Sequence, residues 1–338
     1  MMSETDLPEA AVRARAGEWQ LGAPGTGLVW LDDTIVAAGG DGRLHFLPAD
    51  ASAPSSIEAH SGAILALAAD PAGDRVLTGG DDGRVTAATA AGTDELLSRP
   101  GRWIDAIAVS RKGQVAVGIG KEVTLWRDGV PHTLEVPTTA AALAFDQRGA
   151  SLAVAHYGGV SVFDAAHPKR APQRLAWTGS HIRVSFSPNG KFVVSVMSEN
   201  ALHGWRIKDG ANMAMSGYPA KPRSLSWSAD GRLLASSGAD GAIIWSFAGR
   251  DGPIGTSAIS RGERGVQVTS LSWHPQAPML ALGYRDGAVQ LCRTEDGAML
   301  PLLEPSGEPT THLCFSATGS TLAALTDTGA LARFALSL

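Results

Sequence analysis

The sequence predicts an all-β protein built from a repeated unit of short antiparallel strands. Glycine accounts for 40 of the 338 residues and charged residues for only 18%, which suits short strands joined by tight turns. A pattern of strand, turn, strand, turn and strand recurs about every 41 residues. The copies account for nearly the whole chain, so we expect a single domain.

The clearest copy of the repeat runs from Leu225 to Trp245. Two Asp-Gly pairs, at 230–231 and 240–241, separate its three strands, and this dipeptide is a strong hairpin signal. The third strand ends on a bulky side chain in most copies, and we expect these side chains to anchor the core. They are Phe46, Trp126, Phe163, Trp205, Trp245 and Phe334.

This repeat resembles that of the WD40 family, whose repeats of 40–45 residues each supply four strands to a propeller blade. The aspartate of the second turn is present as Asp41, Asp82, Asp240 and Asp286. No Trp-Asp dipeptide closes a third strand, and the best match to the family's Gly-His pair is Ala59-His60. The resemblance covers roughly residues 20–338 and implies a β-propeller that binds proteins.

Eight copies predict eight four-stranded blades. The alternative is seven blades, in which one copy does not form a blade, the candidate being the first, whose turn is only Leu31-Asp32-Asp33. The last copy has no fourth strand, while residues 13–21 precede the first copy without a blade of their own. We therefore expect this N-terminal segment to form the outer strand of the last blade, with Trp19 in the seam. Residues 1–12 are predicted to be disordered and 13–338 to be one propeller.

Composition also restricts partners and location. The net charge of −5 disfavours nonspecific nucleic-acid binding, although it leaves room for a local basic patch. The first residues lack the apolar core of a signal peptide, and no stretch reaches the ~18 apolar residues of a membrane span. We expect a cytoplasmic monomer with protein or peptide partners and neither a nucleic acid nor a membrane as partner. The Ala- and Gly-rich composition suggests a bacterial source.

Catalytic and cofactor motifs are missing from the sequence, which contains no HExxH, CxxC, P-loop or EF-hand pattern. We therefore expect a scaffold without enzymatic activity, cofactor or catalytic residues. The weak metal candidates are His312 and Cys314, two apart on one strand face, together with Cys292. The alternatives are a metal-linked accessory protein and a propeller enzyme acting on a small molecule near the central channel.

The resemblance implies that partners bind on the rim that carries the loops before each first strand and after each second strand. Aromatic and arginine side chains on such loops are favoured as binding hot spots. The candidates are Trp103, His156, Tyr157, His181, Glu199, Arg223, Tyr284 and Arg285. The long connection at 249–267 is an alternative binding site, and the other interpretation is that it is a plain solvated loop.

Overall fold

A computed structural model describes residues 12–49, 53–71 and 74–337, and in them the chain forms thirty strands. In chain order these are β1 (Val12–Gln20), β2 (Gly25–Leu31), β3 (Thr34–Gly39), β4 (Arg43–Pro48), β5 (Ser55–Glu58), β6 (Ile64–Ala69), β7 (Val76–Gly80), β8 (Arg84–Thr89), β9 (Gly92–Ser98), β10 (Ala106–Val109), β11 (Val115–Ile119), β12 (Glu122–Arg127), β13 (Val130–Glu135), β14 (Ala142–Phe145) and β15 (Ser151–Asp164). There follow β16 (Gln173–Phe186), β17 (Phe192–Met197), β18 (Ala201–Arg206), β19 (Asn212–Met215), β20 (Leu225–Trp227), β21 (Leu233–Ser236), β22 (Ala242–Ser246), β23 (Ile259–Arg261), β24 (Val268–Trp273), β25 (Met279–Tyr284), β26 (Val289–Arg293), β27 (Met299–Leu303), β28 (Thr310–Phe315), β29 (Thr321–Thr326) and β30 (Ala330–Leu336).

The chain divides into two compact units. The first contains Met1–Asp32 and Tyr218–Leu338, and the second contains Asp33–Gly217. In the first unit, β20–β23 and β24–β27 form four-stranded antiparallel sheets in chain order, and a third sheet has the order β28-β29-β30-β1. In the second unit, β3-β4-β5, β6–β9 and β10–β13 follow chain order, and β14–β19 form a six-stranded sheet.

The strands of the described residues form seven sheets, six with four strands and one with six. This number agrees with the alternative of seven and does not support eight separate blades. The eight copies of the repeat are nevertheless all present as strands. The fourth and fifth copies share the six-stranded sheet.

The six-stranded sheet arises because β15 and β16 each continue for 14 residues through a glycine-containing bend. Residues 152–155 of β15 pair with β14, and from Tyr157 onward β15 pairs with β16, with a register shift between Tyr157 and Gly159. Gly159 has φ +142°, and a Cβ there would lie 2.2 Å from the carbonyl oxygen of Leu175, so only glycine fits. The sequence pattern predicts a loop at each of these bends and therefore two separate sheets, whereas in the structure β15 and β16 each continue through the bend.

The N-terminal strand completes the last sheet, as predicted. β1 pairs antiparallel with β30, with Glu18 opposite Ala332 and Trp19 opposite Leu331. The guanidinium of Arg333 lies 5.4 Å from the centre of the Trp19 ring, so this ring packs in the seam. The predicted disorder of residues 1–12 falls almost wholly outside the described residues, apart from Val12, which begins β1.

The core follows from strand alternation, since buried apolar side chains line the faces that pack between sheets. In the second unit, Val160, Leu175, Val193 and Trp205 belong to one buried cluster that holds both halves of the six-stranded sheet. Of the predicted anchors, Phe46, Phe163, Trp205 and Phe334 are buried, while Trp126 and Trp245 are partly buried. Among the described residues, no helix is long and apolar enough to span a membrane.

Candidate functional site

Trp103 is the most exposed large apolar side chain that the structure describes, at 69%. It lies in the connection from β9 to β10, next to Ile104, whose side chain is fully buried. The backbone N–H of Arg102 donates to the carbonyl of Arg99, and that of Ile104 donates to Gly80. The loop is therefore fixed on both sides of Trp103, and the indole stands on an ordered backbone.

Tyr157 occupies the bend within β15 and is 58% exposed. Thr138, in the connection before β14, holds this bend through two hydrogen bonds. Its Oγ1 accepts the backbone N–H of Tyr157 at 3.0 Å and donates to the carbonyl of Tyr157 at 3.3 Å. The phenol is thus accessible while its backbone is fixed by a neighbouring connection.

Trp177 is a third exposed aromatic residue, at 40%, and sequence reasoning did not select it. Its ring stacks on His203, with ring centres 3.9 Å apart and planes 16° apart. The signal that could have identified it is position, because it ends the fourth-strand segment 173–177 and directly precedes Thr178-Gly179.

These three aromatic residues lie at one end of the strands of the second unit, here called the aromatic end. In an antiparallel sheet, the connection after a second strand and the connection before a first strand lie at the same end. Trp103 stands in a connection of the latter kind. Tyr157 and Trp177 lie at the bends of β15 and β16, which occupy the places of a connection of the former and of the latter kind. Glu199 belongs to the same end, and its exposed carboxylate accepts the backbone N–H of Ser180 at 2.9 Å.

Two candidates at this end prove to be structural. His156 and His181 are buried, which corrects the expectation that they are available to a partner. His156 donates to the carbonyl of Tyr157 and lies 2.9 Å from Ser161 Oγ, while His181 lies 2.7 Å from Ser195 Oγ and donates to the carbonyl of Trp177. Burial lowers the pKa of both imidazoles, so they are neutral groups that position the exposed rings.

In the first unit, Arg223 and Arg285 are exposed, whereas Tyr284 is fully buried. Tyr284 was expected to be exposed, and this expectation is wrong. Its hydroxyl donates to the carbonyl of Gly262 at 2.6 Å, and Arg264 lies over its ring at 4.7 Å. The segment after β22 thus supplies a buried hydrogen-bond acceptor for the Tyr284 hydroxyl. The spacing of the repeats does not predict this contact.

The long connection at 249–267 is not a plain loop. It contains β23, the outer strand of its sheet, in which Arg261 pairs with Ala242. The Arg261 side chain donates to the carbonyl of Thr294 at 3.0 Å. Ile254 in the same segment is 56% exposed.

The weak metal candidates do not form a cluster. In the part of the chain that the structure describes, no group of three or more His, Cys, Asp or Glu side chains is arranged to hold a metal ion. Cys292 is buried and His312 Nδ1 lies 3.0 Å from Thr311 Oγ1. Burial raises the pKa of the Cys292 and Cys314 thiols to about 11, which disfavours the thiolate that binds metals.

One His–Asp pair has the geometry of a catalytic pair but a structural environment. His60 Nδ1 lies 2.9 Å from Asp82 Oδ1, and its Nε2 lies 2.9 Å from Thr78 Oγ1, with the imidazole buried. Burial raises the pKa of Asp82, but hydrogen bonds from His60 and from the backbone of Arg84 and Ser61 outweigh it and lower the pKa overall. Both ring nitrogens of His60 are engaged within the sheet, so the pair fixes a turn.

A groove of about 700 Å³ lies in the first unit beside β1 and β27. Trp19 and Leu302 contribute apolar surface, and Glu18, Glu304 and Glu308 contribute carboxylates. No histidine, cysteine or basic residue lines it among the described residues. Its polar lining includes these carboxylates and hydroxyls such as those of Ser306 and Thr310.

Comparison with known proteins agrees with this geometry. The WD domain, G-beta repeat model matches residues 53–86 and 214–245, and the anaphase-promoting complex subunit 4 WD40 domain model matches residues 243–310. The computationally designed Ika8 protein is a similar solved structure, with a TM-score of 0.75, 18% identity, and coverage of 96% of this chain and 98% of that one. Among curated proteins, no relative matches the chain.

Repeated antiparallel sheets and the likeness to a solved structure over nearly the whole chain define an all-β β-propeller. Family models of WD40 repeats match residues 53–86, 214–245 and 243–310, so the chain contains repeats of the WD40 type, as predicted. Since 1837 chains of solved structures share the likeness, the fold itself does not specify a function.

Proposed function

We propose that this protein is a non-catalytic scaffold that binds a protein or peptide partner at the aromatic end of the second unit. The observation that carries the proposal is the exposure of Trp103, Tyr157 and Trp177 on backbone that hydrogen bonds or stacking hold in place. Exposed aromatic side chains on rigid loops are typical of binding hot spots, because little conformational entropy is lost when they are covered.

Three buried histidines and the aspartate partner of one of them make hydrogen bonds within the sheets, which supports a role without catalysis. Asp82 and His60 pair within one sheet, and His156 and His181 bond to hydroxyls and carbonyls of their own sheets. Propellers of this family generally bind proteins or peptides, and one matching family model is named for a subunit of a protein complex. The exposed Arg223 and Arg285 are candidate contacts of the first unit.

The location and assembly state belong to the same proposal. Cys292 and Cys314 are both free thiols, which suits a reducing compartment such as the cytoplasm. We propose that the protein acts there as a single chain that presents its loops to a partner.

The test compares a variant of the aromatic end with a matched variant elsewhere. Trp103→Ser with Tyr157→Ser removes two exposed rings, and Leu96→Ser with Val130→Ser removes two exposed aliphatic side chains from β9 and β13. Proteins captured by the wild-type chain are identified by mass spectrometry, and the Kd of the recombinant partner is measured for each variant. We expect the aromatic variant to raise Kd at least about 30-fold, since a hot-spot residue contributes ~2 kcal/mol or more.

The aliphatic variant should bind the partner as the wild type does, with both variants unfolding at the wild-type temperature. A partner whose affinity survives the aromatic variant but is lost when residues 249–258 are replaced by a short Gly-Ser linker would contradict the proposal. Binding would then depend on the segment that carries Ile254.

A further inference from the structure

Over β10–β19 of the second unit, the opposite end of the strands carries a positive charge. This end, here called the basic end, consists of the turns that join first to second strands and third to fourth strands in β10–β19. Its nine cations are Arg111, Lys112, Arg127, Arg148, Lys169, Arg170, Lys191, Arg206 and Lys208, and its four carboxylates are Asp128, Asp146, Asp164 and Asp209. The excess of five positive charges stands on a chain whose net charge is −5.

The turns of the basic end form one continuous surface. Arg127 Nη1 donates to the carbonyl of Ala166, and Gln173 Nε2 donates to the carbonyl of Ile207 at 2.8 Å. A Cβ on Gly149 would lie 2.9 Å from Gln114 Oε1, which shows how closely two neighbouring turns pack. The cations therefore add to a common potential and are not scattered charges.

The carboxylates of this end are already engaged. Asp128, Asp164 and Asp209 pair with Arg127, Arg170 and Arg206 at 3.3, 3.1 and 2.8 Å. Asp146 accepts the backbone N–H of Ala150 at 2.7 Å and that of Ser151 at 3.1 Å.

The remaining cations face solvent. These six make no ion pair with any residue that the structure describes, and all six are exposed. They are Arg111, Lys112, Arg148, Lys169, Lys191 and Lys208. A polyanion could therefore bind them without first breaking an internal ion pair.

The kind of polyanion follows from what the basic end lacks. Protein interfaces depend on buried aromatic or large apolar anchors, and Val130 is the one large apolar side chain exposed at this end among the described residues. Single-stranded nucleic acid requires aromatic stacking, but Trp103, Tyr157 and Trp177 stand at the other end. Duplex grooves admit a helix or a two-stranded ribbon, whereas this end presents short turns. Lipid phosphates require none of these features, and a duplex bound through its phosphates alone is distinguished from them by the competition experiment below.

We propose that the basic end is a docking surface for an anionic membrane, which it contacts through lipid phosphate headgroups. Clusters of four to eight Lys and Arg residues close to a bilayer are typical of binding to anionic lipid, and each residue contributes about a fivefold factor near the surface. This contact is peripheral and needs no spanning segment, so it departs from the sequence-based expectation that the protein has no membrane partner. It leaves the aromatic end facing away from the bilayer and available to a protein.

The experiment measures partition of the full chain onto vesicles by flotation. The probes are vesicles of phosphatidylcholine alone and of phosphatidylcholine with phosphatidylglycerol at a molar ratio of about 2:1. The test variant carries Lys112→Gln, Arg148→Gln and Lys191→Gln. The matched control carries Arg99→Gln, Lys121→Gln and Lys221→Gln, which are exposed cations outside the basic end. Both variants have the same net charge, and thermal unfolding checks that both are folded.

We expect the wild type and the control to bind the anionic vesicles and not phosphatidylcholine alone, with partition that falls as salt rises. The test variant should partition about 100-fold more weakly, from three factors of about five. Equal partition of the two variants, or no binding of the wild type in 50 mM salt, would overturn the proposal.

Two competitors test whether the basic end prefers another polyanion to the membrane. A mixed-sequence DNA duplex or polyglutamate is added at the charge concentration of the vesicles. If neither displaces the wild type from the vesicles, the proposal is supported. If the duplex or the polypeptide captures the wild type from the vesicles and the test variant loses that binding, the surface serves that polyanion and the membrane assignment is wrong.

Discussion

His203 joins the core to the surface of the second unit, because its buried ring stacks beneath the exposed Trp177. Burial, with a smaller contribution from His181, lowers the pKa of His203 from 6.5 to about 4. Between these values the unfolded chain binds a proton that the folded chain does not, so the free energy of unfolding falls as pH decreases from 6.5 to 4. This group contributes up to ~3 kcal/mol to that loss.

His203→Phe keeps a flat ring under Trp177 and removes the titrating group. We expect its free energy of unfolding, measured by denaturant titration at several pH values, to depend less steeply on pH between 4 and 6.5 than that of the wild type. Parallel curves for the two proteins over this range would show that His203 does not carry the effect.

Tyr218 and Trp245 form a buried polar contact in the first unit. Trp245 Nε1 donates to the Tyr218 hydroxyl at 2.7 Å, and that hydroxyl lies 2.5 Å from Ser236 Oγ. Burial raises the pKa of Tyr218 to about 12, so the phenol stays neutral and serves both partners. We expect Tyr218→Phe and Trp245→Phe each to cost about 1–3 kcal/mol of unfolding free energy in urea titrations.

The double variant should cost about 1 kcal/mol less than the two single losses together, since one removed hydrogen bond is counted twice. Strict additivity would indicate that the indole and the phenol do not interact.

The sequence did not predict which individual side chains of the candidate site are exposed. Trp103 was expected in a loop and lies in the connection from β9 to β10, whereas Tyr157, expected in a loop as well, lies at a bend within β15. Tyr284 follows the same pattern and is buried, because its acceptor, the carbonyl of Gly262, comes from another segment. Whether a turn residue faces inward depends on such long-range partners, and a local pattern does not contain them.

At the level of elements, the pairing of β1 with β30 is the clearest test of how the sheets are completed. Without β1, the backbone of β30 would become an exposed edge next to the buried Leu331 and Phe334. We expect removal of residues 1–20 to lower the urea midpoint and to produce oligomers in sedimentation velocity.

The matched control lacks residues 1–10 and retains β1 whole. The two truncations separate loss of the strand from loss of the preceding residues. If both lower the midpoint equally, the pairing of β1 with β30 contributes nothing measurable.

Elements were the most predictable level of the fold. Alternating apolar residues and Asp-Gly turns located most strands, and the surplus at 13–21 located β1. The number of separate sheets was not predictable in the same way. The bends of β15 and β16 contain glycines, as real turns do, and backbone geometry at Gly159 rather than composition keeps the strand continuous.

On the scale of the whole molecule, the two thiols report on opening of the fold. Cys292 lies in β26 and Cys314 in β28, and burial raises the pKa of both to about 11. At pH 8 only about one thiol in a thousand is then a thiolate in the folded state. We expect a thiol reagent such as dithionitrobenzoate to react with both at least ~100-fold more slowly in native protein than in 6 M guanidinium.

Cys292→Ala and Cys314→Ala each leave one thiol, so the rate of reaction with dithionitrobenzoate in each variant belongs to the cysteine that remains. A native thiol that reacts as fast as an unfolded one would mean that its strand opens readily or that its sulfur is accessible.

The pairing of β1 with β30 also has a consequence for biosynthesis. A ribosome that adds about 5–20 residues per second completes β30 roughly 15–60 s after it completes β1, because about 310 residues separate them. During that interval the first strand made has no partner, and nascent chains on neighbouring ribosomes display the same unpaired segment. A permuted gene that encodes residues 12–20 after residue 338 would shorten the wait to a few seconds, and its product should depend less on chaperones for the same final fold.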